Sequence, residues 1–498
     1  MRSRPVAPRA RRIADVVAST VVPQITAPQP SYQPKLDAYQ HFLVGRELLR
    51  KRKDMRGEAR RQLQKAIELD PAYAEAYAEL AATYAIGIVT PEDAEKAEAA
   101  IQTALTLQPG MPRALAAQGL LLQELGDPAA SETVLREVLE KDPNMVDALN
   151  WIGNALAMQC KPEEDMTRLE RAARLDPLNG AIAVNIAGRF SRRGDYERAE
   201  HELLRLLEMP DPGLYPYIEL RELYSDTGRL VDLNLIEKRR ALEAGHHHSG
   251  LVLDYSLLGL WEHAMYWARR SEADSSHFWA PFITSYAYYL QGRFEDSLAE
   301  IDRVLAADGK TPAEMPGSFR LVYGDTQALA GDHAGAIRTL ETVIDTAGPV
   351  CYQQLASWQT GALHALVWAY MEEGAPEKGR SLLQSFDREL QDLRRRGLLH
   401  RSEDLFFFAQ NSLLLGQQDL ALERLEQAIA AGWRNYYVHL ADPRWAALRD
   451  DPRHQALMAR VKADLDRQRV EVEKIDAEED FIARLDRAQA AARQSGEE

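Results

Sequence analysis

The segment of residues 146–177, VDALNWIGNALAMQCKPEEDMTRLERAARLDP, decides the fold of this chain. Apolar and small residues recur at helical spacing on both sides of its QCKP sequence at 159–162. This pattern predicts two amphipathic helices joined by a tight turn, the second of which ends at Asp176-Pro177. One helical hairpin cannot bury its apolar face alone, so the segment needs neighbours of the same kind.

Such neighbours are visible as a repeat along the chain. The prolines that close successive apolar stretches, Pro71, Pro109, Pro143 and Pro177, are separated by 38, 34 and 34 residues. Glycines that mark the inner turn continue the pattern to Gly416, with spacings that lengthen to 39, 43 and 42 residues after Gly292. A period near 34 residues predicts ten or eleven helix–turn–helix units between about Asp37 and Trp433.

The repeat resembles the tetratricopeptide repeat family position by position. In residues 146–177, Leu149, Ile152, Gly153 and Leu156 stand at the family's first-helix positions 4, 7, 8 and 11. Family position 20 is small in six further units, which have Ser131, Ala199, Ala264, Ser297, Ala336 and Ala421 there. The resemblance implies an all-α fold, a right-handed superhelical solenoid of helix–turn–helix repeats. The residue at position 20 of the unit at 146–177 is Asp165, which predicts a splayed or slipped helix pair there.

We expect four segments along the chain. Residues 1–36 are a basic, proline-containing tail, residues 37–245 and 246–440 are two repeat lobes separated by a bend near 245–250, and residues 441–498 cap the array. The last segment reads as one long helix from His454 to about Ala492. Its apolar seam through Val461, Leu465, Val472, Ile475 and Ile482 is compatible with a cap on the last repeat or with a coiled-coil homodimer.

A second resemblance concerns the two ends of the array. Residues 432–445 resemble the end of the repeat region in bacterial winged-helix regulators and adenylate cyclases, and Asp37 to Arg46 resembles its first repeat. No effector domain is expected before the repeats, because the 36 leading residues are too few to hold one. DNA binding and cyclase activity are therefore not implied, and an effector domain would act in trans.

Composition and motifs exclude several classes of function. The chain has 498 residues and a net charge of −16, which argues against direct nucleic-acid binding. No apolar run approaches the ~18 residues of a membrane span, and two distant cysteines, Cys160 and Cys351, suit a reducing cytoplasm. No catalytic or cofactor motif occurs. The triplet His246-His247-His248 is expected to be a solvated turn rather than a metal site, so we expect no enzyme activity, no cofactor and no metal.

In the tetratricopeptide family the first helix of each pair lines a concave groove. The matching positions form an aromatic group in the second lobe: Trp279, Phe282, Tyr286, Tyr289, His364, Trp368 and Phe406. In the first lobe they are polar: Arg113, Asn150 and Asn154, with Asn185 beside them. The aromatic group is either a binding wall or a core between the lobes. The sequence thus predicts a non-catalytic scaffold that binds a protein or peptide segment, or alternatively a sensory or regulatory subunit of a bacterial signalling or transcription system.

Overall fold

The structure is a computed structural model of the chain. It describes residues 32–51, 56–87, 91–159, 161–209, 213–244, 249–274, 282–307, 309–315, 317–344 and 357–495. All regular secondary structure within these ranges is helical.

Among the residues that the structure describes between 36 and 431, eleven helix pairs follow one another, which agrees with the ten or eleven units predicted. The pairs of the first half are α1 (Leu36–Lys51) with α2 (Arg56–Leu69), α3 (Ala74–Ala85) with α4 (Pro91–Leu107), α5 (Pro112–Glu124) with α6 (Pro128–Lys141), α7 (Val146–Met158) with α8 (Pro162–Leu175), α9 (Gly180–Arg192) with α10 (Tyr196–Leu207), and α11 (Tyr215–Asp226) with α12 (Leu230–Ala244).

The second half continues in the same way. Its pairs are α13 (Ser249–Leu257) with α14 (Trp261–Asp274), α15 (Ile283–Leu290) with α16 (Phe294–Ala307), α17 (Gly317–Leu329) with α18 (His333–Leu340), α19 (Ser357–Glu372) with α20 (Pro376–Arg395), and α21 (Ser402–Leu414) with α22 (Gln418–Ala431). Three further helices end the chain: α23 (Tyr436–Ala441), α24 (Pro452–Glu478) and α25 (Phe481–Ser495).

Local sequence explains the turn inside a hairpin, as the α5–α6 turn shows. Gly126 has a φ of +86°, a conformation that residues with a side chain rarely adopt. Asp127 then accepts a hydrogen bond of 2.9 Å from the backbone nitrogen of Ala130, and Pro128 occupies the first turn of α6. The turn therefore stops one helix and starts the next within three residues.

Small residues hold the two helices of a pair close together. A Cβ atom added to Gly119 of α5 would lie 2.6 Å from Cγ of Leu135 in α6. Leu135 itself is fully buried, so it has no room to move away. The small residue at family position 8 is thus required by the packing of the pair.

Asp165 does not splay its pair, contrary to the sequence prediction. Its side chain is fully buried at the start of α8, and Oδ2 lies 2.7 Å from Nε of Arg189 in α9. Leu169 beside it is also fully buried and packs on Gly153 of α7. The carboxylate is accommodated because the next repeat supplies a guanidinium to pair with it.

The chain divides into two compact units. Unit 1 comprises residues 1–189 and 201–216, and unit 2 comprises residues 190–200 and 217–498. The bend predicted near 245–250 falls partly outside the described residues, and the four-segment division stays a prediction. The units themselves separate earlier, between residues 190 and 217.

Unit 2 is closed by contacts between its first and last elements. The guanidinium Nε of Arg401 lies 2.9 Å from Oδ2 of Asp226 at the end of α11. The side chain of Gln468 in α24 donates to the carbonyl oxygen of Gly228 at 2.9 Å and accepts from the backbone nitrogen of Leu230 at 2.7 Å. These contacts join residues about 175 to 240 positions apart, so unit 2 is more than a chain of neighbouring repeats.

The C-terminal helix differs from the single helix predicted. α24 ends at Glu478 and α25 begins at Phe481, so the run is broken into two helices. Val461, Leu465 and Val472 are 1% exposed or less, and Nζ of Lys238 in α12 lies 2.5 Å from Oδ1 of Asp476. Three residues of the predicted seam are therefore buried inside unit 2, whereas Ile482 in α25 is 45% exposed. The C-terminal helices contact α12 in the first hairpin of that unit as well as α22 in the last.

In the part of the chain that the structure describes, no helix combines the length and the apolar character needed to cross a membrane.

Candidate functional site

A row of polar side chains runs across the first helices of unit 1. Nη2 of Arg113 in α5 lies 2.8 Å from Oε2 of Glu79 in α3, and Nη1 of Arg113 pairs with Oδ2 of Asp147 in α7. Each partner is 34 residues away, one repeat in either direction. Burial alone disfavours the charged guanidinium, but the two carboxylates outweigh it and raise the pKa of Arg113.

The row continues with three asparagines. Nδ2 of Asn185 in α9 donates to Oδ1 of Asn150 in α7 at 2.7 Å. Oδ1 of Asn154 accepts from Nη2 of Arg189 at 2.8 Å, and Nε of the same arginine pairs with Asp165. We call Glu79, Arg113, Asp147, Asn150, Asn154, Asn185 and Arg189 the polar row of unit 1.

The polar row is fixed before any partner arrives. Glu79, Asn150 and Arg189 are buried, whereas Asn154 and Asn185 are partly exposed and the side chain of Arg113 is 19% exposed. Because each exposed group is held by a buried partner one repeat away, little side-chain entropy is left to lose on binding. Amide groups held in this way can exchange hydrogen bonds with the backbone of an extended peptide.

The aromatic residues predicted in the second lobe do not form one wall. Trp279 lies outside the described residues. Phe282 packs edge-on against Phe319 of α17, with ring centroids 5.0 Å apart, inside the apolar cluster of α16 and α17. The hydroxyl of Tyr289 donates to Oδ2 of Asp325 at 2.8 Å, and its ring lies 6.4 Å from that of Tyr286.

The three remaining aromatic residues of this predicted group pack against other side chains than the residues described above. His364 is completely buried between Phe386 and Phe407, and its burial lowers its pKa to about 3. Trp368 packs on His333 with ring centroids 4.6 Å apart and donates from Nε1 to Glu372. Phe406 stacks on Trp433 at 4.7 Å. In this structure His364 has no surface to offer to a partner.

The chain itself covers much of this region of unit 2. The closing segment, residues 433–448, contains the buried rings of Trp433 and Trp445. Its Arg444 lies 3.7 Å from Asp325, the acceptor of the Tyr289 hydroxyl, and Gln410 of α21 donates to its Asp442. The segment also meets the turns of two hairpins, since Cβ atoms added to Gly259 and Gly292 would strike Tyr437 and Ala441. The closing segment therefore occupies the space beside α15, α17 and α21.

Sequence reasoning missed the partners of the polar row. Glu79, Asp165 and Arg189 are not at the groove positions of the family, yet Glu79 holds Arg113 and Arg189 holds Asn154, and Asp165 in turn holds Arg189. The sequence did contain a signal for some of these partners, because residues of opposite charge recur one repeat apart at positions 79, 113 and 147. The closing segment gave no such signal, since its contacts with Gly259, Gly292 and Asp325 are with residues more than 100 positions away in the sequence.

Metal chemistry has no support in the described part of the chain, where no group of three or more His, Cys, Asp or Glu side chains is placed to hold an ion. The triplet His246-His247-His248 lies outside the described residues.

The fold and the polar row define a helical-hairpin repeat protein. Residues 116–180 and 285–349 match the family model described as "Tetratricopeptide repeat". The predicted all-α tetratricopeptide fold is thereby confirmed. No curated protein matches the chain significantly.

Solved structures similar to this chain have low sequence identity. MamA from Desulfovibrio magneticus RS-1, residue 41 to its end, is 19% identical with a TM-score of 0.24, covering 35% of this chain and 96% of that chain. The human IFIT1 dimer with m7Gppp-AAAA is 14% identical with a TM-score of 0.38, covering 85% and 94%. YrrB, described as a TPR protein with an unusual peptide-binding site, is 19% identical with a TM-score of 0.21, covering 39% and 90%. Similarity at this level does not extend to partners or ligands.

Proposed function

We propose that the chain is a non-catalytic interaction scaffold that binds a segment of a partner protein along the first-helix face of unit 1. The tetratricopeptide fold is typical of such scaffolds. The observation that carries the proposal is the polar row, in which Arg113, Asn154 and Asn185 reach the surface from buried, hydrogen-bonded partners. Catalysis has no comparable support, because the row holds no nucleophile beside a base.

Partner binding is less favourable on unit 2 than on unit 1. There the closing segment packs beside the helices that carry the predicted aromatic residues, and it does so with two fully buried tryptophans. A partner would have to displace about as much apolar surface as it covers, so binding there gains little. For this reason the proposed partner segment lies on unit 1.

Asn154 and Asn185 allow the sharpest test, since both are partly exposed and neither belongs to the apolar core. A photo-crosslinking residue at position 154 should capture a partner in cells, and the same residue at Thr167 should not. Thr167 is exposed on α8, the second helix of the same pair, and bonds only to its own helix backbone. The captured protein is then purified and titrated against the full chain and its variants.

The double variant Asn154→Ala with Asn185→Ala should weaken that binding by about tenfold or more, as expected for the loss of two hydrogen bonds. Thr167→Ala should bind like the natural chain. Equal affinities for the double variant and Thr167→Ala would refute the proposal, provided that both have the natural circular dichroism spectrum.

The more specific statements about function remain predictions that rest on the sequence alone. A bacterial sensory or regulatory role, with an effector domain acting in trans, is the alternative, and a cytoplasmic location and a homodimer through the C-terminal helix are further predictions. A regulator would bind a small ligand or an effector domain, whereas a scaffold would bind peptide segments.

A further inference from the structure

Unit 2 contains a cavity of about 770 Å³ at its outer helices. α14 supplies most of its lining, the turn between α15 and α16 supplies Gln291 and Arg293, and α25 supplies Asp486. A volume of this size lies within the range of pockets that hold small organic molecules. It is larger than an inorganic ion requires.

The polar groups of the cavity are mostly hydrogen-bond donors. Three arginines line it, Arg269, Arg270 and Arg293, against the two carboxylates of Glu262 and Asp486. Asp486 is already engaged, because its Oδ1 lies 2.5 Å from Nη2 of Arg270. Donors therefore outnumber the acceptors that remain.

Two of these donors lack an acceptor in the described part of the chain. Nε2 of Gln291 is buried and makes no hydrogen bond there. Arg269 is exposed and forms no ion pair or hydrogen bond with a described residue. A buried donor without an acceptor costs about 1–3 kcal/mol, a cost that a ligand oxygen would remove.

Two other arginines are held in position at the cavity. Besides Asp486, the guanidinium of Arg270 donates to Tyr266 at 3.1 Å and to Gln489 at 2.8 Å. Arg293 donates from Nε to Asp296 at 2.7 Å and lies 4.5 Å from the ring centroid of Tyr288. Both guanidinium groups are thus oriented without a ligand.

The apolar part of the lining consists of Trp261, Met265 and Tyr266. Tyr266 is 42% exposed although its ring is large, and Trp261 meets Tyr437 edge-on at 4.7 Å. An exposed tyrosine with partly buried tryptophan and thioether groups beside arginines favours a ligand that has a planar ring as well as a negative charge.

We infer that this cavity binds a phosphate monoester that carries a planar ring. A carboxylate has only two oxygens, whereas a phosphate monoester offers three terminal oxygens to the donors of Arg269, Arg293 and Gln291. The ring packs on Trp261 and Tyr266. Such a ligand is either a free nucleotide or a phosphorylated aromatic side chain of another protein. The inference is independent of the partner site proposed on unit 1.

Isothermal titration calorimetry of the full chain separates these ligands. The probes are adenosine 5′-monophosphate, O-phosphotyrosine, inorganic phosphate and adenosine. We expect at least one of the two aromatic phosphates to bind about tenfold or more tightly than inorganic phosphate, and adenosine to bind no better than phosphate. The tighter of the two aromatic phosphates identifies the source of the ligand.

Variants show whether the cavity is responsible. Arg269→Ala and Gln291→Leu should each weaken the tighter aromatic phosphate by about tenfold or more. Arg338→Ala is the matched control, because Arg338 is exposed on α18 of the same unit and forms no ion pair with a described residue.

The inference fails if neither aromatic phosphate binds at about 1 mM, or if inorganic phosphate binds as tightly as both. It also fails if Arg269→Ala and Arg338→Ala reduce binding equally. Since Arg269 supports no other described side chain, its replacement leaves the fold intact, and a loss of binding reports on the cavity itself.

Discussion

The Nε2 atoms of His439 and His454 lie 2.8 Å apart in the interior of unit 2, and one imidazole donates to the other. Both rings are buried, and that of His439 lies 4.6 Å from the ring of Trp445 and 5.2 Å from that of Trp433. The pair joins α23 to the first turn of α24. It therefore fastens the closing segment to the C-terminal helix.

This pair should make the chain sensitive to acid. Burial, the first cause, lowers the pKa of both imidazoles, and His454 and nearby arginines lower that of His439 further. Burial also lowers the pKa of His364, to about 3. Below pH 6.5 the unfolded chain binds protons that the folded chain does not, so stability is present above pH 6.5 and falls as the pH drops. Each histidine adds a slope of up to about 1.4 kcal/mol per pH unit.

Urea unfolding between pH 7.5 and 5 measures this slope as a difference between variants. His364→Leu removes one of the three groups and should lessen the acid loss by about 1.4 kcal/mol per pH unit below pH 6. His333→Leu is the comparison, since His333 is only partly buried on α18. If the pH dependence of His364→Leu matches that of the natural chain, His364 is not held neutral by burial.

Asp404 should have the opposite pH dependence. Burial raises the pKa of this carboxyl group to about 8; Arg401 opposes the rise, and Asp226 and Glu403 add to it. A folded pKa above the unfolded value means that its contribution is present below about pH 4 and is lost as the pH rises through 8. Asp404→Asn should therefore stabilise the chain, with a gain that grows from pH 4 to pH 8.

The control for Asp404 is Asp419→Asn, whose side chain is 88% exposed beside Arg453. Its effect on the free energy of unfolding should be within about 0.5 kcal/mol at every pH. A gain from Asp404→Asn that does not change between pH 4 and pH 8 would show that Asp404 is ionised in the folded chain.

The buried pair of Asp165 and Arg189 should depend on both partners. Arg189→Leu leaves the fully buried carboxylate of Asp165 without its guanidinium, which should cost about 3–5 kcal/mol in unit 1. The double variant Asp165→Ala with Arg189→Leu restores the small residue that six other units have at this position. It should recover most of the loss, as measured by hydrogen exchange of α7 and α8. A double variant as unstable as Arg189→Leu would contradict this account.

Gly119 should tolerate no side chain, although alanine normally has a higher helix propensity than glycine. The added Cβ of Gly119→Ala would lie 2.6 Å from Cγ of Leu135, so unit 1 should lose about 1–3 kcal/mol. Gly57→Ala in α2 is the matched variant, because its nearest neighbour would be Nη1 of Arg61 at 3.8 Å. That variant should gain up to about 1 kcal/mol in thermal unfolding. Similar losses for both would show that packing at position 119 is not the cause.

Several features of the molecule could be predicted from local pattern alone. The proline and glycine spacing predicted ten or eleven hairpins, and the described residues form eleven helix pairs, because helix boundaries depend on residues within a few positions of each other. The small residues at the crossing of each pair were predicted for the same reason, and Gly119 against Leu135 shows the contact. The polar positions Arg113, Asn150, Asn154 and Asn185 were found through the family pattern, although whether they bind a partner stays a prediction.

Other features could not be predicted from the local sequence pattern, because they depend on contacts between distant residues. Asp165 pairs with Arg189, one repeat later, and the sequence does not show which charges meet across helices. The ion pair of Asp476 with Lys238 in α12 likewise joins residues more than 200 positions apart.

The sequence by itself determined the repeat, the helical hairpin and the polar character of the first-helix face in unit 1. Those properties follow from the periodicity of apolar residues and from turn residues, which act over one hairpin. Only the tertiary structure decided that Trp433 and Trp445 of the closing segment are buried in unit 2 and that the cavity at Arg269 exists. Both depend on contacts between distant parts of the chain, whose geometry follows from the summed packing of many hairpins rather than from any one of them.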